Sequence, residues 1–486
     1  MEDSLKQKAV SGVLWSAIQQ FGVQIIAFLS NLVLARLLSP DDYGCIGLLA
    51  IFIAISTVFI NGGFVSALIQ KKDATDTDYN TAFYWNIVVS LAFYALLFVT
   101  APLVASFYHI PSLVSILRVL GLLLIISGFS VVQNTILRKK LQFDKLARID
   151  IVSAIISVMV SITLAFNGWG VWSLVAQQLL SRICRCIFLW YGSTWHPAFV
   201  FSTKSFKSMF SYGSFLLLSD LMNCLVDNVQ GLLIGRRYTA SDMGYYTQAR
   251  KLEEIPTTSI SYLIGNVTFP IYSKIQDDKE RLGNAVKKSM AMMNYINFPL
   301  MMLLIVIAKP LLVTLYSEKW LNSVEYFQIL CLAGLVNCMQ SVNYQVVAAV
   351  GRSKALFKWN IVKRCVGVVL MLIGMYFGVK GILWGMTIGF YFTYIVNACL
   401  AKSSTGYGLV TQVKESIPLF LISLCSMGLA YLPSLLGTHY LLQLIVQTVV
   451  FVISYVVFSH ILGRAEYVEA KGMIQSYLSK YNGKRQ

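Results

Sequence analysis

Gln178, Arg182 and Arg185 recur at spacings of four and three inside one long apolar stretch, which places all three on a single face of a helix. No acid lies in that stretch. A guanidinium there needs a partner from another helix, from water or from an anionic ligand. The competing reading is snorkelling towards the polar surface, which suits Arg185 better than Arg182. A second stripe runs through Asp220, Asn223, Asp227 and Gln230 at i, i+3, i+7 and i+10, with a milder counterpart in Gln20, Gln24 and Asn31. Carboxylates so placed either titrate or hold a cation, H+ or Na+, or form a structural salt bridge to a neighbouring arginine. Arg250-Lys251-Leu-Glu253-Glu254-Ile-Pro256 is a self-contained cluster, whose bases and acids stand three and four apart and can neutralise one another. Pro256 removes a backbone hydrogen bond and predicts a bend. Lys363 and Arg364 sit well inside another apolar run, either snorkelling or adding positive potential. Four histidines near the ends of apolar runs and the lack of a P-loop leave no zinc site, histidine relay or ATP hydrolysis, so no cofactor is implied.

These residues need elements that hold them in a non-aqueous medium. Hydrophobic residues make up 57% of the 486-residue chain and charged ones only 13%, about half the share of a soluble domain. Apolar runs fall at roughly 11–38, 41–69, 79–106, 112–137, 146–167, 170–194, 205–235, 241–271, 283–308, 324–350, 354–378, 380–402, 415–432 and 440–462. Such runs must be helices, because backbone groups in hydrocarbon have only each other as partners. The fold class is therefore all-α integral membrane, with about fourteen transmembrane helices. Nine cysteines without metal-site spacing read as small buried apolar residues. The N-terminus reads as a retained first helix rather than a removable signal.

Charge sets the orientation. With the N-terminus cytoplasmic, 26 of the 39 Lys and Arg fall in inside segments. Only Arg36, Arg236, Arg237, Lys309, Lys319 and Lys380 fall outside. Both termini are then cytoplasmic and the helix count is even. The same asymmetry accounts for a net charge of +17 without nucleic acid. Loops of at most about fifteen residues leave no room for a globular enzyme domain.

Leu34-Ala-Arg36-Leu-Leu-Ser-Pro-Asp-Asp42-Tyr-Gly44 reappears two hundred positions later as Ile234-Gly-Arg236-Arg-Tyr-Thr-Ala-Ser-Asp242-Met-Gly244. Gly170-Val-Trp172 has a similar echo in Gly381-Ile-Leu-Trp384. The repeat divides the chain into an N-lobe over 1–200, a C-lobe over 201–402, and two further helices with a cytoplasmic tail over 403–486. Two parallel six-helix lobes are an architecture for alternating access. Gly381, Gly385 and Gly389 form a small-residue ridge for close helix packing.

The first of those strings resembles the first-loop signature of polysaccharide flippases, and Gly244-Tyr-Tyr-Thr-Gln-Ala-Arg-Lys-Leu-Glu-Glu-Ile-Pro256 with Phe269-Pro270 resembles its second-lobe partner. Gly168-Trp-Gly170-Val-Trp172 does likewise. The chain resembles the Wzx-type branch of the multidrug/oligosaccharidyl-lipid/polysaccharide exporter superfamily, nearest its colanic-acid and teichuronic-acid exporter group. The resemblance implies fourteen helices in the bacterial inner membrane and a flippase for undecaprenyl-pyrophosphate-linked oligosaccharide, often coupled to an ion gradient. Partners on this reading are the lipid-linked substrate, membrane lipids, and a glycan polymerase with its export machinery. A diphosphate needs guanidinium partners in a shielded cleft, and Arg182, Arg185 and Arg250 are candidates, with Lys251, Lys363 and Arg364 adding charge. Glu253 and Glu254 beside Arg250 weaken its claim to a free charge. Asp220, Asp227, Glu253 and Glu254 then serve coupling or gating, and Gln20, Gln24, Asn31, Gln178 and Asn223 line the cleft. The rival readings are a multidrug/cation antiporter of the same superfamily and a membrane glycan polymerase or ligase.

Overall fold

The computed structural model describes residues 2–61, 63–71, 73–437, 439–469, 471, 472 and 475; the last part of the expected cytoplasmic tail lies outside them. Among the described residues no strand occurs. The α-helices are α1 (Glu2–Leu37), α2 (Pro40–Asn61), α3 (Phe64–Gln70), α4 (Asp76–Tyr108), α5 (Leu113–Leu120) and α6 (Leu122–Lys139). They continue as α7 (Phe143–Phe166), α8 (Val171–Tyr191), α9 (Thr203–Arg237), α10 (Ala240–Lys274), α11 (Lys279–Val306) and α12 (Ala308–Tyr316). The last are α13 (Ser323–Ala349), α14 (Ser353–Gly374), α15 (Gly378–Thr405), α16 (Leu409–Tyr431) and α17 (Tyr440–Ile461).

Each apolar run of the sequence lies on one of these helices, or on two where a short helix breaks the run, as α3 and α5 do. Among the described residues nine stretches are long and apolar enough to cross a membrane. A tenth is α9, which bends by 53° between residues 211 and 216. α14 and α15 count there as one stretch, while α8, α10 and α13 are too rich in polar residues to count. The chain is an all-α membrane protein. Its apolar side chains bear this out: Leu441, Ile445, Val449, Val452 and Val456 along α17 are exposed, a surface that only lipid tolerates. The cysteines divide differently from the sequence expectation. Cys45, Cys331 and Cys338 are buried, but Cys365, Cys399 and Cys425 are exposed on apolar helix surfaces.

The chain forms two compact units, Met1–Gly244 and Tyr245–Gln486. In the first, α7 packs between α1 and α8, α6 packs on α4 and α8, and α2 packs on α9. Lipid gives helices no hydrophobic reason to associate, so contact depends on small residues and internal hydrogen bonds. α7 supplies both. Ser153, Ser157 and Ser161 are buried at four-residue intervals, and the Ser161 hydroxyl donates to the Ser173 carbonyl on α8 at 2.9 Å.

The repeated motif has a shared local structure. In the first copy the Ser39 hydroxyl and amide donate to Asp42 Oδ2 at 2.7 and 2.9 Å, and the Asp42 amide donates back to Ser39 Oγ at 3.3 Å. The second copy repeats this with Thr239 and Asp242 at 2.8, 3.1 and 3.1 Å. Both are capping boxes that satisfy the first amides of α2 and α10. The glycines that end the two motifs face the opposite copy. A Cβ at Gly44 would overlap the Ala240 carbonyl, and one at Gly244 would overlap the Pro40 carbonyl. Backbone is in the way, so no side-chain rotation relieves the clash. Gly44→Ala and Gly244→Ala should each lower stability by about 1–3 kcal/mol. Thermal unfolding in detergent reads this out, and unchanged melting in both variants would mean that the helix starts move apart freely.

In the second unit α13 packs on α11 and α15, α14 on α15, and α16 on α11 and α17. The glycine ridge of α15 works as its spacing implies. Gly381 sits against the Gly374 carbonyl, Gly385 against the Leu370 carbonyl, and a Cβ at Gly389 would lie 3.2 Å from Gly367 Cα. Polar pairs tie the other helices. Asn343 and Gln412 exchange amide hydrogen bonds of 3.0 and 2.9 Å, and Asn297 Nδ2 donates to the carbonyls of Gly334 and Leu335. Pro256 and Pro270 both lie within the continuous α10.

Candidate functional site

The α8 helix carries two stripes of opposite character. Ile183, Ile187 and Tyr191 form an apolar one, at four-residue intervals. Gln178, Arg182 and Arg185 form the polar one, and at 3.6 residues per turn the two stripes point to nearly opposite sides. The apolar stripe meets lipid, so the polar one faces away from it.

Arg185 turns into the helix packing. Its Nε donates to Asp150 Oδ1 on α7 at 2.6 Å and its Nη2 to Asn134 Oδ1 on α6 at 3.0 Å. Gln19 on α1 donates to the other oxygen of Asp150. Three helices thus meet at one carboxylate, α6 joins them through Arg185, and the charge of Arg185 is already matched. Arg182, one turn earlier, stays exposed and makes no hydrogen bond or ion pair among the described residues; the acid that acts on it is Asp150, which Arg185 already holds. Arg182, Arg185 and Asp150 form one electrostatic group that carries a single net positive charge.

The same opposition of stripes occurs on α9. Leu218, Met222 and Leu225 are exposed on one side, whereas Asp220, Asn223 and Asp227 are exposed on the other. Gln230 is buried and donates to the Asp227 carbonyl. Asp220 has no ion-pair partner among the described residues; the arginine bridge open to it in sequence is not made. Asp227, by contrast, has a partner. On α1 the exposed apolar stripe of Leu14, Ile18, Phe21 and Ile25 leaves Gln20 and Gln24 to one side, and Asn31 is half-buried with a partner. Next to Gln178, Gln177 rather than Gln178 reaches α1, donating to Ser30 Oγ at 2.8 Å.

The other expected cations lie in the second unit and are engaged. Arg250 Nε donates to Glu254 Oε1 at 2.6 Å and its Nη1 to the Tyr246 hydroxyl oxygen at 2.6 Å, so the cluster does neutralise itself. Lys251 is exposed with a partner, and Arg364 is half-buried with one. Glu253 is buried against α13, with its Oε1 facing Gly334. Lys363 is only 5% exposed and donates to Asn397 Oδ1 on α15 at 2.7 Å. Its ammonium is packed between helices rather than snorkelling.

Three of these partners escaped the sequence reading. Asp150 and Asn134 stand near the ends of apolar runs, where spacing along one helix gives them no partner; the clue is an arginine in need of an acid, with Asp150 in the preceding run. Asn397 lies in an apolar run and only packing reveals its contact with Lys363.

The family model described as polysaccharide biosynthesis protein matches residues 33–325, more than half of the chain. The chain belongs to that family. The match spans α8, α9 and α10 with Arg182, Asp220 and Arg250, while Lys363 and Arg364 lie beyond it. Among curated relatives, the teichuronic acid biosynthesis protein TuaB of Bacillus subtilis is 28% identical over 359 residues, 74% of this chain and 74% of its own length. The succinoglycan biosynthesis transport protein ExoT of Rhizobium meliloti is 25% identical over 366 residues, 75% of this chain and 74% of its own. A solved structure of the lipid II flippase MurJ in an inward closed conformation superposes with a TM-score of 0.75 at 15% identity, covering 93% of this chain and 100% of that one. The family member described here therefore has the fold of that flippase.

Proposed function

We propose that the chain is a flippase for lipid-linked oligosaccharides, moving undecaprenyl-pyrophosphate-linked glycan units across the bacterial inner membrane by alternating access. It is a membrane transport protein and not an enzyme. The observation that carries the substrate reading is Arg182: a guanidinium on a membrane helix, turned from lipid, with no hydrogen bond or ion pair of its own among the described residues and its nearest acid, Asp150, already bound to Arg185. Such a group suits a diphosphate, whose oxygens accept its paired N–H donors in the same plane. Family membership and the names of the relatives, one teichuronic acid biosynthesis and one succinoglycan transport protein, support a glycan cargo. The excess of Lys and Arg in alternate loops supports cytoplasmic termini. Asp220, an unpaired carboxylate in the polar stripe of α9, is our candidate for coupling to H+ or Na+ or for gating. A glycan polymerase and export machinery are the natural recipients of the cargo.

The cation antiporter reading keeps one supporting observation, that same unpaired Asp220. Deleting the gene distinguishes the two. A flippase mutant loses surface polysaccharide and accumulates the lipid-linked precursor on the cytoplasmic side, with drug accumulation unchanged. Normal surface glycan together with raised accumulation of organic cations would reverse the assignment.

A further inference from the structure

A half-open cavity of about 630 Å³ lies in the second unit, between the middle of α11, the first half of α16 and the segment that follows α17. It is remote from the stripes of α8 and α9 in sequence and plays no part in the function proposed above. Its wall carries both signs of charge: Lys287, Lys414 and Arg464 against Glu415 and Glu466. Part of that charge is spent internally. Lys287 Nζ donates to Glu415 Oε1 at 2.6 Å, the Tyr407 hydroxyl donates to Glu415 Oε2 at 3.0 Å, and Arg464 Nη2 meets Glu466 Oε1 at 3.3 Å. Burial and the carboxylate of Glu415 push the Tyr407 phenol well above its ordinary range, so it remains a donor.

What is left over is a matched set. Lys414 has no partner among the described residues, and Arg464 Nε is a buried donor without an acceptor. On the acceptor side, Glu466 Oε2 is buried without a donor, and so is Oδ1 of Asn294, a residue 1% exposed whose Nδ2 is already committed to Ser416 Oγ at 2.7 Å. Unsatisfied groups of this kind cost free energy unless a ligand meets them. A purely anionic ligand would confront Glu466, and a purely cationic one would confront Lys414. One molecule carrying a phosphate beside an ammonium answers both.

The mouth of the cavity says where that molecule comes from. Val410 lines it and is 80% exposed. Val410 also begins an exposed apolar line down α16 through Val413, Ile417, Leu421 and Leu424, spaced to share one helix face. An acyl chain laid along that line places its headgroup in the cavity. We propose that this cavity is a binding site for the zwitterionic amine–phosphate headgroup of a membrane phospholipid, the phosphate held by Lys414 and Arg464 and the ammonium by Glu466 and Asn294.

The test uses full-length protein purified in mild detergent and stripped of lipid. Native mass spectrometry then follows the uptake of phosphatidylethanolamine and phosphatidylglycerol, with glycerophosphoethanolamine as a soluble competitor. Phosphatidylethanolamine should be preferred by about tenfold, the effect of one charge-assisted hydrogen bond. Lys414→Ala and Glu466→Gln should each remove that preference, while Lys288→Ala, whose partner is Glu469 outside the cavity, should keep it. Lys414 is exposed and Gln is isosteric with Glu, so both variants should fold. Equal uptake of the two lipids, a preference for phosphatidylglycerol, or a preference unmoved by both variants would overturn the assignment. Displacement by glycerophosphoethanolamine at lipid concentrations would also overturn it, pointing to a soluble ligand. Lipid uptake is read without export, so this outcome and the flippase reading stand or fall separately.

Discussion

Arg182→Ala is expected to abolish glycan export while the protein accumulates in the membrane at its normal level. The side chain is exposed and makes no internal hydrogen bond or ion pair, so its removal leaves no buried group unpaired and no cavity behind. What it takes away is a charged donor for substrate phosphate, a loss of about 2–5 kcal/mol where such a contact is shielded from water. That corresponds to roughly a thirty- to several-thousand-fold weaker grip. Arg182→Lys keeps the charge but not the planar fork and should retain partial export. Surface polysaccharide measured against membrane-fraction protein separates this from misfolding. Normal polysaccharide in the alanine variant would remove Arg182 from the site.

The second large effect is structural and lies one turn away. Asp150→Ala leaves Arg185 facing Asn134 alone and Gln19 without its acceptor. The side chains of the pair are only 18% and 15% exposed, and removing one partner from a buried pair costs about 3–5 kcal/mol. The expected result is a sharp fall in thermal stability and yield. Asp150→Ala with Arg185→Leu removes both charges and should recover most of that loss. The double variant should still export, because the pair holds four helices together and Arg182 remains. If the double variant were no more stable than the single, or were stable but inactive, Arg185 would have to be reassigned as a substrate contact.

Much of this was legible beforehand. Apolar runs long enough to cross a bilayer admit little besides helices, so the fold class followed from length and composition. The Arg250–Glu254 pair was legible because partners four apart on one helix meet without any tertiary information. Arg182 was singled out for the same reason, since its own helix offers no acid. Partners on other helices were not legible. Asp150 meets Arg185 only because α7 packs on α8, where Ser161 bonds Ser173, and Lys363 finds Asn397 only because α14 packs on α15. The cavity beside α16 was hidden for a further reason. Its residues come from α11, α16 and the segment after α17, which nothing in the sequence pattern brings together.

Gly44 and Gly244 are each confined by a carbonyl of the other motif copy, so a change in one is felt at the far one across two hundred residues of chain. A duplicated segment normally frees one copy to diverge. Here the two copies are each other's mould, and drift in either is arrested by the shape of its twin. Their likeness is kept by contact.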